Sequence, residues 1–357
     1  MVKSLKFIFL WPFLAWSCYG QNSPEESARD FLVFPVGFSN PESGLGFGAG
    51  GVYGYRTAAD SLTRNSNLQL VAAYTTRQQI LSYFSWEHFA PKNRQYHYGE
   101  IGYYDFSYLF YGLGNETSLA DEEAFYFDLF RLQSTNYWRV RTNTYLGVRL
   151  FYDYWFIKNF DSEGLLADLS PVGINGGHSL AFGPAFLYDS RSDPFYPRQG
   201  LYAEISALGQ SKFYSNFENL WLNLDLRLFE TFRERWTLAL NYRNSFRPGA
   251  SVAFFDLPAL GGFRALRGYY LGRFRGRMMQ FLQTELRFPI WWKFRATAYA
   301  GAGQVWSDES DNAGPLHLAY GLGLRYRIFK TSKLNLRFDL AWGDGPMQLY
   351  FGIGEAF

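Results

Sequence analysis

Apolar and polar side chains alternate one by one over long stretches of this chain. The clearest stretch is 220–228, where every second residue is leucine and the residues between include Asn223 and Arg227. Similar runs cover 318–328 and 334–340. A period of two predicts β-strands whose two faces meet different surroundings, because a helix would repeat its apolar positions every three or four residues.

The alternating segments predict an all-β protein, a 16-stranded antiparallel transmembrane β-barrel. Many segments are longer than the average of about five or six residues for a strand in a soluble protein. Strands of about 9–11 residues suit a tilted crossing of a bilayer. Short connections alternate with longer ones, as in bacterial barrels whose short turns face the periplasm, so both termini are expected there. The predicted strand cores are 31–37, 44–57, 67–76, 79–90, 95–107, 123–134, 137–154, 178–190, 200–209, 217–230, 235–246, 278–288, 293–305, 316–329, 333–342 and 347–357.

The composition supports a barrel over other classes of protein. Aromatic residues make up 21% of the chain, yet the mean hydropathy is −0.21. Strands with one face toward lipid and the other toward a polar lumen reconcile these values. No apolar run of about 18 residues, as a membrane-spanning helix needs, follows the N-terminal segment. A net charge of +2 gives no support for binding nucleic acid.

Tryptophans fall near the predicted strand ends. Trp291 and Trp292 lie at a predicted periplasmic turn, and Trp306 and Trp342 lie near predicted outer ends. This placement favours aromatic girdles at the two membrane interfaces. Ordinary packing between strands is the alternative.

The N-terminal segment is typical of a secretory signal. Lysines precede an apolar stretch over 7–15 that is too short to span a bilayer. Cleavage after Gly20 is the favoured interpretation, and lipidation of Cys18 is the alternative. Cys18 is the single cysteine, so cleavage after Gly20 would exclude disulfides. The predicted organisation is a signal peptide over 1–20, a short periplasmic segment over 21–30 and the outer-membrane barrel over 31–357.

A motif lies in the long connection predicted between the eleventh and twelfth strands. Its sequence is Leu266-Arg267-Gly268-Tyr269. It resembles the signature of the BamA/TamA-like outer-membrane protein insertase superfamily, also called the bacterial surface antigen family. That signature is an apolar residue followed by Arg-Gly-Phe/Tyr, in a loop that folds back into the lumen. The resemblance therefore implies that Arg267 enters the barrel.

The same resemblance implies an acidic partner for Arg267 on the lumen wall. Glu285 is the candidate, because the segment around it resembles the family's twelfth strand, and alternation turns Glu285 toward the lumen. Family members often carry a second acid in the thirteenth strand, where this chain has Gly301. A single acidic anchor is therefore expected.

Two further segments carry the resemblance. The stretch 189–200 resembles the family's Asp-x-Arg-Asp-x-x-x-x-Pro-x-x-Gly periplasmic hairpin, for which a structural role is expected. The alternating C-terminal segment ends in Phe357 and resembles the terminal signal by which barrel proteins are recognised for insertion.

In the family, the seam between the first and last strands is a lateral gate. Here Pro35 in the first strand cannot donate to a ladder, and Gly352 and Gly354 weaken the last strand. Together with Phe357, these residues are the predicted seam residues. The alternative is that the strand ends merely fray.

The predicted function is to assist the insertion or translocation of proteins in the bacterial outer membrane. The expected partners are outer-membrane lipids and either unfolded outer-membrane proteins or a periplasmic partner. Family members usually carry POTRA domains before the barrel, and the segment 21–30 leaves no room for one. No cofactor or metal is predicted, and an enzyme is not expected because the histidines have no motif around them.

The alternative function is a transport pore or a structural barrel. A cationic lumen could favour anions in such a pore. The arginines predicted to line it are Arg227, Arg243, Arg287, Arg325, Arg327 and Arg337.

Overall fold

The computed structural model describes residues 30–40, 44–60, 62–233, 235–262, 264–306, 314–327 and 334–357. The signal peptide expected over 1–20 lies outside these residues. The strands form one 16-stranded antiparallel sheet in chain order. They are β1 (Asp30–Asn40), β2 (Gly44–Tyr55), β3 (Ser66–Thr75), β4 (Ile80–Phe89), β5 (Gln95–Phe110), β6 (Glu123–Arg141), β7 (Thr144–Asn159), β8 (Gly177–Asp189), β9 (Gly200–Gln210), β10 (Asn219–Phe232), β11 (Trp236–Phe246), β12 (Met278–Trp291), β13 (Phe294–Trp306), β14 (His317–Arg327), β15 (Asn335–Trp342) and β16 (Gln348–Ile353).

Alternation places apolar side chains outside and small or polar ones inside. In β14 the outward Leu318, Tyr320 and Leu322 are exposed, whereas Ala319 and Gly321 between them are buried. Apolar groups remain on an outer surface only where that surface meets an apolar medium or a partner. The predicted fold class and strand number are confirmed.

Several predicted strand boundaries are wrong, and those of the sixth, seventh and last strands have identifiable causes. The sixth strand continues to Arg141, and the seventh begins at Thr144. Asn143 makes the tight turn between them with a φ of 58°, which asparagine tolerates better than most residues. The last strand ends at Ile353, since Gly354 with a φ of 83° turns the chain inward.

The connections differ between the two ends of the sheet. At the turn end, where β2 leads to β3, β4 to β5 and so on, several connections are as short as 142–143 and 292–293. At the loop end, the connections 111–122, 160–176 and 247–277 are long. Among the described residues, the helices are a short α1 (Leu165–Leu169) and the 3-10 turns Pro91–Asn93 and Leu119–Asp121. In the described part of the chain, no helix has the length and apolar character needed to cross a membrane.

Aromatic packing joins the long loops at the loop end. Phe110 and Phe125, at the ends of β5 and β6, pack with Leu166 of α1 and Phe254 of the 247–277 loop. The 111–122 loop reaches the opposite wall, where the Asn115 side chain accepts from the Val305 amide at 3.0 Å. The loops therefore fold over the loop end as one packed layer.

The first and last strands are the two edges of the sheet. In the described residues, β1 pairs with β2 and β16 pairs with β15, and no ladder joins β1 to β16. β1 has 11 residues and β16 has 6. Side chains nevertheless bring the two edges together at the turn end, because Phe34 of β1 and Ile353 of β16 pack against the same buried cluster, which consists of Val52, Phe195 and Leu334. This junction is called the seam below.

Candidate functional site

The 247–277 loop enters the lumen and turns back at its tip. A two-residue ladder between Ala259–Leu260 and Phe274–Arg275 closes its neck. Leu266 and Tyr269 are buried with Phe281 of β12 and Val305 of β13. The apolar members of the motif therefore anchor the tip by burial.

Arg267 is fully buried and lies between two carboxylates. Its guanidinium forms an ion pair with Glu285 of β12, and its Nη1 lies 2.5 Å from Oδ2 of Asp339 in β15. The same group sits 3.8 Å from the ring centroid of Tyr299 in β13. The predicted pairing of Arg267 with Glu285 is present. The expectation of a single acidic anchor is wrong, because Asp339 supplies a second one.

Two glycines explain how the tip fits against the wall. A Cβ on Gly301 would lie 3.0 Å from Cδ1 of Leu266, so the position where the family often has an acid instead receives the motif leucine. Gly268 has a φ of 129°, and a Cβ there would lie 2.6 Å from the carbonyl oxygen of Trp342. A larger residue at position 268 would therefore combine backbone strain with a clash.

The ion pair belongs to a larger buried cluster. The Arg287 Nε donates to Glu285 at 2.9 Å, and Arg325 of β14 pairs with Asp339. The Arg325 Nε also donates to Oε2 of Glu355 at 2.9 Å. Charges this deeply buried are tolerated only when they are paired and hydrogen-bonded. The cluster therefore couples the loop tip to β12, β14, β15 and the C-terminal residues.

Tyr350 of β16 ties the last strand to the motif. Its hydroxyl accepts a hydrogen bond from the Gly268 amide at 3.2 Å and donates one to the Tyr269 carbonyl oxygen at 3.1 Å. Tyrosine can make both bonds because its hydroxyl is a donor and an acceptor. The loop tip thus holds one edge of the seam directly.

The C-terminal residues 354–357 form a tail that crosses into the lumen. The main-chain oxygen of Phe357 accepts from Arg287 at 3.0 Å. The Phe357 ring packs with Phe229 of β10 and Ala239 of β11. The expectation that Phe357 lies at the seam is therefore wrong, because the bend at Gly354 carries it to the facing wall.

The hairpin 190–199 at the turn end reaches the seam from the opposite side of the barrel. Asp193 accepts from the amides of Phe195 and Tyr196 at 2.9 and 3.0 Å, which fixes a tight turn. Phe195 then belongs to a buried cluster with Val52 of β2 and Leu334, and the seam residues Phe34 and Ile353 pack against this cluster. Sequence reasoning gave this hairpin only a structural role. The aromatic residues at its tip, which lie between two prolines, are the sequence feature that could have indicated a packing role at the seam.

The base of the 247–277 loop carries a separate buried carboxyl. Asp256 accepts from Ser179 Oγ at 2.6 Å and lies 3.5 Å from Gln210 Nε2. Burial raises the pKa of Asp256 to about 7. This contact fixes the loop to β8 and β9, far from the motif.

Comparison with known proteins decides the family. The Omp85 superfamily domain matches residues 64–357. The chain belongs to the Omp85 superfamily. Omp85 barrels are outer-membrane proteins. No curated protein matches this chain.

Solved structures share the Omp85 barrel fold at low identity. BamA from Haemophilus ducreyi lacking POTRA domains 1–3 is 15% identical with a TM-score of 0.57, covering 92% of this chain and 69% of that one. CdiB from Acinetobacter baumannii is 12% identical with a TM-score of 0.58, covering 92% and 65%. CdiB from Escherichia coli is 11% identical with a TM-score of 0.57, covering 93% and 63%. The chain spans just under two thirds of each CdiB structure.

The remaining predicted seam residues of this Omp85 chain lie on the edge strands. Pro35 is exposed on β1 opposite Ala49 of β2, and Gly352 of β16 pairs with Arg337 of β15. Neither Pro35 nor Gly352 contacts the motif in the described residues. Their predicted role in seam opening stays a prediction.

Most of the arginines predicted for the lumen are paired with carboxylates. Arg227 and Arg243 share Asp225 at 2.6 and 2.9 Å. Arg287 and Arg325 belong to the cluster around Arg267, and Arg337 Nε lies 3.6 Å from Asp339. Arg327 at the end of β14 forms no ion pair with a described residue.

Proposed function

We propose that this protein assists the insertion or translocation of polypeptides at the bacterial outer membrane and exchanges them at the seam between β1 and β16. The observation that carries the proposal is the contact of Tyr350 with the motif backbone. It links the Arg-Gly-Tyr tip to a six-residue edge strand that has no ladder with β1 in the described residues. Membership of the Omp85 superfamily supports this role.

The edge of β1 gives the proposal a physical basis. An edge strand presents unpaired N–H and C=O groups that an extended segment of another chain can bind by strand addition. The buried cluster holds β12, β14 and β15 to the loop tip by ion pairs, whereas β16 itself is attached there by the hydrogen bonds of the Tyr350 hydroxyl group. We therefore expect β16 to be the strand that detaches when the seam opens. The expected partners are unfolded outer-membrane proteins, outer-membrane lipids and a periplasmic partner. No catalytic step is part of the proposal.

Depletion in the native host tests the function. The outer-membrane proteins and lipids are counted before and after the chain is depleted. Loss of many barrel proteins, or of one surface-exported protein, is the expected result. An unchanged census would overturn the proposal.

A cross-link tests the seam itself. Phe34→Cys and Ile353→Cys place thiols on β1 and β16 in one apolar cluster. We expect the oxidised double variant to fail to complement depletion and the reduced form to succeed. The matched control pairs Leu226→Cys with Tyr242→Cys, which are register partners in β10 and β11. Single-cysteine variants control for the natural Cys18. Full complementation by the oxidised seam pair would refute exchange at the seam.

An anion-selective pore draws less support, because the lumen arginines Arg227, Arg243, Arg287 and Arg325 are ion-paired. Conductance of the purified barrel in a planar bilayer distinguishes the two functions. A steady anion current in the unaltered protein would favour the pore.

A further inference from the structure

The small net charge conceals a separation of charge along the barrel. Exposed carboxylates gather at the loop end, and Glu230 near the end of β10 is the exception among the described residues. Those on the 111–122 and 160–176 loops are Glu116, Asp121, Glu122, Asp161, Glu163 and Asp168. Most exposed cations of the described residues lie at the opposite end, and Arg77, Lys158 and Lys212 are the exceptions at the loop end. We call Lys92, Arg94, Arg139, Arg141, Arg233 and Arg235 the turn-end rim.

Four cations of the rim form one continuous patch. The turn between β4 and β5 carries Lys92 and Arg94, and the end of β6 carries Arg139 and Arg141. The Arg139 amide donates to the Arg94 carbonyl oxygen at 2.9 Å, and its Nη1 donates to the Lys92 carbonyl oxygen at 2.6 Å. No carboxylate of a described residue forms an ion pair with any of the four. Asp60 interacts electrostatically with Lys92 without forming an ion pair, so most of the positive charge of the patch is not neutralised within the described residues.

Apolar side chains alternate with these cations. Trp138 and Val140 are 45% and 58% exposed on the outward face of β6, on either side of Arg139. Farther around the same end, Trp291 and Trp292 are 72% and 70% exposed. Tryptophan prefers the boundary between hydrocarbon and head groups, and a neighbouring basic side chain extends into the head-group layer. This interleaving places the rim at the height of the phosphates.

We propose that the turn-end rim binds the phosphate groups of anionic phospholipids in the leaflet at that end of the barrel. The apolar neighbours favour a lipid over an acidic protein, because a protein docked below the barrel would leave Trp138 and Val140 uncovered. The proposal is independent of the seam and of the polypeptides exchanged there.

The test measures lipid binding to the purified full chain in a neutral detergent. Short-chain phosphatidylglycerol and phosphatidylcholine are titrated separately, and bound lipid is counted by native mass spectrometry. We expect a preference for phosphatidylglycerol that disappears at high salt, where exposed charges are screened. Removing four rim cations is expected to lower phosphatidylglycerol affinity by at least about tenfold, since each basic residue near an anionic surface contributes roughly fivefold.

The variant for this test combines Lys92→Gln, Arg94→Gln, Arg139→Gln and Arg141→Gln. A matched control neutralises the loop end with Glu116→Gln, Asp161→Asn, Glu163→Gln and Asp168→Asn and is expected to keep the preference. A wild-type protein without a head-group preference, or a rim variant that retains it, would overturn the proposal. Binding of polyglutamate that phosphatidylglycerol does not displace would also overturn it and assign the rim to an acidic protein. If the rim variant does not fold, the salt dependence and the polyglutamate competition of the unaltered protein decide.

Discussion

At the scale of single residues, the buried Arg267 is the most constrained group of the site. The motif, together with the alternation of inward and outward side chains in β12, was enough to predict its contact with Glu285. Asp339 was not predictable in the same way, because it lies 72 residues farther along the chain and reaches Arg267 only when the sheet curls. No local spacing encodes that approach. Sequence alone therefore located one carboxylate and missed the other.

Replacing Arg267 should destabilise the barrel strongly. Arg267→Ala removes the cation that joins Glu285 to Asp339 and leaves them with only Arg287 and Arg325, and breaking a buried ion pair costs about 3–5 kcal/mol. Urea unfolding in detergent micelles, followed by tryptophan fluorescence, measures this loss. Arg277→Ala is the matched control, because that arginine of the same loop donates to the Gly249 carbonyl oxygen. Its expected cost is about 1 kcal/mol. Equal losses in the two variants would contradict the special position of Arg267.

Asp256 should make stability depend on pH. Its folded-state pKa of about 7 exceeds the ordinary 3.8 because of burial. The folded form therefore retains a proton that the unfolded form releases. The free energy of unfolding is highest below the unfolded-state pKa and decreases as pH rises to about 7. Thermal unfolding of wild type and Asp256→Asn at pH 5 and pH 8 checks this. The stability of the variant relative to wild type should be greater at pH 8 than at pH 5, because the wild-type loss is only partly developed at pH 5. A difference that stays constant between the two pH values would count against this prediction.

At the scale of elements, alternation predicted all sixteen strands but not all of their ends. The errors at β6 and β16 have different causes. In β6 both faces carry aromatic residues, such as Tyr137 inside and Trp138 outside. The alternation of apolar and polar residues is therefore too weak there to mark the end of the strand. In β16 the pattern continues through Phe357, but the left-handed bend at Gly354 breaks the strand. Periodicity reports which face a residue occupies and not where a ladder stops.

The attachment of β16 to the loop tip depends on one hydroxyl group. Tyr350→Phe keeps the ring and removes both hydrogen bonds to the motif backbone, at a cost of about 1–3 kcal/mol for the buried groups left unpaired. We expect faster amide hydrogen exchange in 348–353 with little change in β10 and β11. Tyr320→Phe, on the outward face of β14, is the control. Unchanged exchange in β16 of the Tyr350 variant would show that the strand is held elsewhere.

At the scale of the whole molecule, two segments cross the turn end in opposite directions. The hairpin 190–199 runs from β8 and β9 to the seam, and the tail 354–357 runs from β16 to β10 and β11. The family resemblance identified the hairpin, but its destination depends on the diameter and curl of the complete sheet. Such contacts between distant strands are beyond what spacing in a sequence can specify.

The hairpin tip should hold the two edges of the sheet together. Phe195→Ala removes the largest side chain of the buried cluster against which Phe34 and Ile353 pack, and such a truncation costs about 3–5 kcal/mol in a well-packed core. Cross-linking between Phe34→Cys and Ile353→Cys should then fall markedly. Phe213→Ala, at a 94% exposed position, should leave it unchanged. Undiminished cross-linking in the Phe195 variant would mean that other contacts close the seam.

The attachments of the last strand have a consequence for how the wall could open. Tyr350 is hydrogen-bonded to the loop tip, Glu355 accepts from Arg325, and Phe357 packs on β10 and β11. One short segment is therefore attached to three separate parts of the barrel. Losing one attachment frees the segment to lose the next, because each contact holds the others in register. Release of the segment is then cooperative, so the contacts break together above a threshold and not one after another. A barrel wall held in this way stays closed under small fluctuations. It opens when an incoming chain replaces all of these contacts together.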